Sequence, residues 1–221
     1  MEFISESDKQ KFQSMIMHLE HIYLQLRGVG TLFFVPLIML YLVVPFIIFI
    51  YAKTSTKSLD VIFVNQCNFF IPILSTWWVF LVMKEYVEGD GNEVLYIENH
   101  SKLTEVVGLF VCYDILLVVF FTVASVFIGD VAFSLFLQMS VVSFFYCGLA
   151  YVFLYLFKSI AIAFLPMICY SLYCSDGLNA TISFFNTSTF WTDPLKYMIE
   201  MVIAGGVCFL CGNYLNKKSF L

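Results

Sequence analysis

The stretch Leu32–Ala52, LFFVPLIMLYLVVPFIIFIYA, decides the fold class of this chain. Its side chains are apolar except for the tyrosines Tyr41 and Tyr51, and none of them is charged. About 20 apolar residues in a helix cross a bilayer core of about 30 Å. The whole chain of 221 residues is 61% hydrophobic and 12% charged, whereas soluble domains are about half apolar and a quarter charged. This composition excludes a soluble enzyme and a disordered chain, and it predicts an integral membrane protein. The net charge of −5 also argues against nucleic acid as a partner.

Apolar runs of similar length recur along the rest of the chain. They are continuous rather than alternating between apolar and polar residues, which favours helices over a membrane β-barrel. We therefore expect one all-α transmembrane domain, residues 1–221, with prolines that kink the helices. The six predicted spans are 32–52, 61–83, 106–129, 132–157, 160–174 and 197–213.

The distribution of basic residues predicts the orientation of the chain. With both termini in the cytoplasm, eight of the 11 basic residues lie inside: Lys9, Lys11, Arg27, Lys84, Lys102, Lys158, Lys217 and Lys218. The first apolar run is too long for a secretory signal. We therefore expect a multi-pass protein of the cell (plasma) membrane.

Two segments outside the spans have a membrane-surface composition. In residues 8–28, apolar side chains recur every three or four positions, as at Phe12, Met15, Leu19 and Tyr23, which predicts an amphipathic helix lying in the lipid interface. Residues 175–196 place aromatic side chains among small polar ones, which predicts an extracytoplasmic re-entrant segment.

The longest cytoplasmic segment, residues 85–104, reads EYVEGDGNEVLYIENHSKLT. Its acidic residues alternate with apolar ones, and Gly89 and Gly91 interrupt any continuous helix. A solvated acidic loop would leave these apolar side chains with nothing to bury against. A soluble protein partner is therefore the preferred interpretation, with a solvated loop or the membrane surface as alternatives.

Two ionisable residues lie inside the predicted spans, Asp114 and Glu200. Charged groups at this depth are costly, so they are candidates for function. Glu200 is close enough to the outer interface to reach water, whereas Asp114 fits a helix–helix hydrogen bond, a wet cavity or a substrate contact equally well. The spans contain no histidine, lysine or arginine to complete a catalytic set, so we predict no catalytic residues and no metal site. The pair Cys208-x-x-Cys211 lacks the context of a redox motif.

The order of these features resembles the ABC-2 permeases, the membrane subunits of type-2 ABC exporters. The local similarities are Glu88-Gly89-Asp90-Gly91-Asn92-Glu93-Val94-Leu95 followed by Ser101-Lys102, then Asp193-Pro194-Leu195-Lys196-Tyr197 before the last span, and the basic end Asn216-Lys217-Lys218-Ser219-Phe220. The chain departs from the family where Asn99-His100 replaces the usual proline before Ser101.

The resemblance implies a bacterial exporter subunit that moves a hydrophobic or amphipathic cargo, such as a peptide toxin or bacteriocin, a drug or a lipid. The chain lacks the GxxxxGK[ST] motif, so ATP and Mg²⁺ would be bound by a separate cytoplasmic ABC ATPase, and this chain would carry no cofactor and be no enzyme. A second permease chain, in a homodimer or a heterodimer, would complete the membrane unit. The residues that the resemblance places against the ATPase are Glu85, Glu88, Gly91, Glu93, Val94, Leu95 and Lys102.

Two other functions remain open from the sequence. One is a six-span protein acting alone, as a secondary carrier or an intramembrane enzyme. The other is an assembly or sensor subunit that transports nothing.

Overall fold

A computed structural model describes residues 30–56, 58–88, 102–175 and 193–218, with the backbone alone described at Glu85 and at 173–175. These residues form helices joined by short turns, and no strand occurs among them. The predicted interfacial helix 8–28 and most of the segments 85–104 and 175–196 lie outside the described residues. The helices are α1 (Gly30–Thr54), α2 (Leu59–Val87), α3 (Leu103–Ile128), α4 (Val131–Phe157), α5 (Ile160–Ser175) and α6 (Pro194–Lys218).

Five of these helices are long and apolar enough to cross a membrane, namely α1, α2, α3, α4 and α6. The fold is therefore all-helical with five helices of spanning length, as the sequence predicts for those regions. The predicted fifth span, 160–174, is present as α5 with almost the same bounds. Its 16 residues rise only about 24 Å, which is short of a bilayer core of about 30 Å.

Helix α1 is irregular, and its prolines explain why. It starts as a 3₁₀ turn (Gly30–Phe34) and continues as an α-turn that contains Pro36. Pro36 has no N–H, so it cannot donate to the carbonyl of Leu32 or of Phe33. The indole N–H groups of Trp77 and Trp78 on α2 donate to these two carbonyls at 3.1 and 3.0 Å, which satisfies the backbone where no water is present.

A π-turn, Met39–Val43, follows in the same helix. The N–H of Val44 donates to the carbonyl of Met39, five residues earlier, directly before Pro45. Tyr41 lies in this turn, and its hydroxyl donates to the carbonyl of Leu116 on α3 at 2.7 Å. Tyr41 therefore holds α1 against α3, while the two tryptophans hold the start of α1 against α2.

Helices α2 and α4 form the centre of the bundle, and their side chains are the most buried. Helix α3 runs antiparallel to both of them, as shown by the contacts of Phe63 with Phe120 and of Phe110 with Phe144. Hydrogen bonds also cross the core; for example, the Tyr113 hydroxyl on α3 donates a hydrogen bond to the carbonyl of Ile71 on α2, at 2.8 Å. These polar contacts give helix pairs a register that packing against lipid alone would not provide.

Helix α6 packs against α4 through glycines. A Cβ atom on Gly148 of α4 would lie 2.9 Å from the carbonyl oxygen of Gly205, so the two backbones are in direct contact. Further along, a Cβ on Gly212 would overlap the ring of Tyr151, and Asn216 donates to the Tyr151 hydroxyl at 3.4 Å. The residue numbers of the contacting positions rise together along the two helices, 148 with 205 and 151 with 212, so α4 and α6 run parallel.

Large apolar side chains cover the outside of the bundle. Val126 and Phe127 on α3 are 81% and 73% exposed, and Leu195 on α6 is 70% exposed. A water-soluble domain buries such residues, whereas a bilayer accepts them at no cost. The exposed surface therefore supports a membrane protein independently of the length of the helices.

Candidate functional site

The acidic segment between α2 and α3 is the strongest candidate site from the sequence, and the structure describes where both of its ends attach. Gly91, Glu93, Val94 and Leu95 lie outside the described residues, as does the side chain of Glu85. The described ends are Glu88, directly after α2, and Lys102, directly before α3. We refer to this side of the molecule as the loop end of the bundle.

Glu88 is exposed, and its carboxylate oxygen Oε1 accepts the backbone N–H of Ile160 at 2.7 Å. Ile160 is the first residue of α5, and the first N–H groups of a helix have no partner within the helix. A carboxylate there satisfies one of these donors and interacts favourably with the positive end of the helix dipole. The first end of the acidic segment is therefore attached to α5.

Lys102 is fully buried, unlike most lysines. Its Nζ lies 3.6 Å from Oε1 of Glu105, which is 3% exposed, and 3.7 Å from the centre of the Tyr86 ring on α2. A buried ammonium group is tolerated when an anion and an aromatic face replace its water. The second end of the segment is therefore attached to both α2 and α3.

The sequence shows Glu88 and Glu105, but not that they bind Ile160 and Lys102. Glu105 lies three positions after Lys102, a spacing that brings side chains together on a helix, so this pair was within reach of sequence reasoning. The partner of Glu88 was not, because Ile160 lies 72 positions away and offers only its backbone. Lys102 is buried within the bundle, and its contact with an ATPase stays a prediction.

The two predicted intramembrane carboxylates lie in different surroundings. Glu200 is exposed on α6, and its side chain lies 4.0 Å from Lys196 one turn earlier. Asp114 is half-buried on α3, and its Oδ1 is buried without a hydrogen-bond partner in the described part of the chain. The structure therefore does not bring Asp114 and Glu200 together as a pair of carboxylates.

Two further polar side chains, which the sequence does not mark as candidates, also have buried polar atoms inside the bundle. Gln138 on α4 is fully buried, and neither atom of its amide has a hydrogen-bond partner among the residues that the structure describes. The side-chain oxygen of Asn68 on α2 is likewise buried and unpaired. Such groups cost free energy in an apolar interior, so they mark places where another polar molecule would be favourable.

The polar side chains at the loop end attach the acidic segment to the helices. Within the described ranges, no group of three or more histidine, cysteine or acidic side chains is close enough to hold a metal ion. What the loop end does offer is a carboxylate bound to the start of one helix and an ammonium group buried between two others.

Comparison with known proteins identifies no relative. No protein-family model matches the chain, and no curated protein and no solved structure is significantly similar to it.

Proposed function

We propose that this chain is the membrane-spanning permease subunit of an ATP-driven exporter of the ABC-2 type, working with a separate cytoplasmic ABC ATPase. The observation that supports this proposal best is the attachment of the acidic segment at both ends. Glu88 is hydrogen-bonded to α5, and Lys102 is buried against α2 and α3. A displacement of the segment would therefore act on three helices at once.

This arrangement suits the transfer of motion from a soluble partner. An ATPase that binds the segment differently in its ATP-bound and ATP-free states would shift the equilibrium between two arrangements of the helices by that difference in affinity. Glu85 and Glu93 would offer charge to basic residues of the ATPase, while Val94 and Leu95 would be buried there. ATP and Mg²⁺ would be bound by the ATPase alone.

The course of the chain favours six membrane crossings in total. Helix α5 starts at the loop end, where Glu88 binds Ile160, while α6 runs parallel to α4 and so starts at the opposite end. The chain must therefore cross the bundle between Ile160 and Pro194. An even number of crossings would place both termini on one side of the membrane, and the distribution of basic residues predicts that this side is the cytoplasm.

The cargo in this proposal is hydrophobic or amphipathic, and a second permease chain completes the path. Helices α1 and α6 are only 22% buried over their most apolar windows, so each has an open face for a second copy or for lipid. A peptide toxin, a drug or a lipid fits such surroundings better than a small ion, which requires several polar ligands.

The test is whether ATP hydrolysis depends on the acidic segment. The tagged chain is purified from its native host in mild detergent, and the ATP hydrolysis that accompanies it is measured. We expect Glu93→Lys and Leu95→Asp to abolish this activity, while Asp130→Lys, an exposed charge reversal in the α3–α4 turn, leaves it unchanged. Equal activity in all four preparations, or none with the unmodified chain, would refute the proposal.

A stand-alone secondary carrier is the second candidate, favoured by two observations. Carriers often use helices shorter than the membrane to form their binding sites, and α5 is such a helix. Asn68, Asp114 and Gln138 also leave buried polar atoms unpaired. A carrier would take up or release its substrate in protein-only vesicles when driven by an ion gradient, whereas the exporter subunit would do so only with its ATPase and ATP.

A further inference from the structure

A cavity lies between α1, α2 and α3, on the side of the bundle away from the loop end. Its volume is about 380 Å³, within the range of about 300–1,000 Å³ that is typical of small-molecule sites. It extends from Tyr41, midway along α1, to Ala52 near the end of that helix, and it also contacts Leu59 and Ile128. These last two are the first residue of α2 and the last of α3.

The walls of this cavity are almost entirely apolar over the described residues. Every lining side chain except that of Tyr41 is a hydrocarbon, and the Tyr41 hydroxyl is already bound to the carbonyl of Leu116. The aromatic rings of Phe63 and Phe120 are stacked against each other in the wall at 6.0 Å. An occupant must therefore be a hydrocarbon over the part that enters.

The length of the cavity matches one leaflet of a bilayer. From Tyr41 to Ala52 a helix rises about 16 Å, and half of the hydrocarbon core is about 15 Å. A helix of a partner protein, with a diameter of about 10–12 Å, is too wide to enter a space of this volume. A single extended hydrocarbon chain is narrow enough and has the right length.

A basic side chain lies beside the Ala52 end of the cavity. Lys53 follows Ala52, and its ammonium group lies 4.4 Å from the centre of the Phe49 ring, which lines the cavity. A lysine at the edge of a membrane attracts anionic lipid headgroups. The cavity therefore matches the acyl tail of a phospholipid, and the lysine lies where the headgroup of that lipid would be.

We propose that this cavity is a binding site for an anionic phospholipid, with one acyl chain between α1, α2 and α3 and the headgroup beside Lys53. The π-turn of α1 holds Tyr41 across to α3 and so closes the inner end of the site. Because lipid tails are as apolar as the cavity, binding comes from close packing and from the headgroup charge rather than from the hydrophobic effect. The proposal does not depend on the exporter function.

The test uses the full chain reconstituted in vesicles of phosphatidylethanolamine and phosphatidylglycerol. A trace of phosphatidylglycerol carries a diazirine at the end of one acyl chain, and mass spectrometry locates the cross-links after illumination. We expect labels at the inner end of the cavity, on Tyr41 and Phe120, and few on Leu210, which is 67% exposed to lipid on α6.

A matched pair of variants distinguishes the cavity from the general surface of α3. Val123 lines the cavity, whereas Val126, one turn away on the same helix, does not. Val123→Trp should lower the labelling of Tyr41 about tenfold, equivalent to about 1.4 kcal/mol of binding, while Val126→Trp should leave it unchanged. Ala52→Trp fills the cavity from α1 and serves as a second variant if Val123→Trp does not fold.

Three outcomes would overturn the proposal. Labels spread evenly over all lipid-exposed residues would show ordinary contact with the bilayer, and equal loss in the two valine variants would show an effect outside the cavity. Cross-links between two copies of the chain at the cavity would show a protein occupant instead. Labelling that stays the same with a diazirine phosphatidylcholine, or after Lys53→Gln, would remove the headgroup part of the proposal.

Discussion

Gly148→Ala tests the direct contact between the backbones of α4 and α6. A Cβ at this position would lie 2.9 Å from the carbonyl oxygen of Gly205, 3.1 Å from Cβ of Cys208 and 3.2 Å from the ring of Phe209. The carbonyl belongs to the backbone of a helix and cannot rotate away, so the helices must separate. Overpacking of this kind costs about 1–3 kcal/mol.

Gly206→Ala is the matched control. No atom lies within 4 Å of the position that its Cβ would take. Alanine favours a helix over glycine by about 1 kcal/mol at either position, so this gain cancels when the two variants are compared. The difference between them therefore measures the overpacking alone, and we expect about 2 kcal/mol.

The assay is thermal unfolding of the purified chain in detergent, followed by tryptophan fluorescence. For a chain of this size, 1 kcal/mol changes Tm by about 2–4 °C, so Gly148→Ala should unfold about 4–8 °C below Gly206→Ala. Equal melting temperatures for the two variants would refute the close contact between α4 and α6. A lower Tm for Gly206→Ala would show that a different face of α6 packs against the bundle.

Three further predictions concern contacts made in the C-terminal half of α2 or directly after it. Lys102→Met should lower the free energy of unfolding by about 3–5 kcal/mol, because it breaks a buried ion pair from one side, and the double variant Lys102→Met/Glu105→Gln should recover most of this loss in the same thermal assay. Glu88→Ala should speed amide hydrogen exchange in the first turn of α5, while Glu88→Gln, which keeps an acceptor oxygen, should not; equal exchange in both would contradict the cap. Trp77→Phe should cost about 0.5–1.5 kcal/mol by leaving the Leu32 carbonyl unpaired, and an unchanged denaturation midpoint would show that this hydrogen bond contributes nothing.

The sequence was a reliable guide to the helices. The bounds predicted for the second and third spans, 61–83 and 106–129, agree within a few residues with α2 and α3. This follows from the bilayer, because a backbone in lipid must satisfy its own hydrogen bonds and a continuous apolar run has only the helix available. The count of six spans stays a prediction, since α5 has the predicted bounds but is shorter than the five helices of spanning length.

The sequence was a weaker guide to the candidate site. It drew attention to Asp114 because charge is rare within the spans, and to Glu88 and Lys102 through the resemblance to the ABC-2 permeases. It could not tell which of them bind other residues. Gln138 attracted no attention, although it is fully buried with both amide atoms unpaired. An uncharged side chain in an apolar run gives no sign of whether it faces lipid or the core, because hydropathy at a single position carries no direction.

The amino-acid sequence by itself determines that this protein belongs in a membrane and that it crosses as helices. Both follow from composition and from the length of apolar runs, which are properties of each segment alone. The tertiary structure alone decides that Glu88 binds the start of α5, that glycines bring α4 and α6 into contact, and that a cavity opens between α1, α2 and α3. Each of these depends on atoms far apart in the chain, and because lipid is as apolar as the helices, only close packing and a few hydrogen bonds choose which helix faces meet.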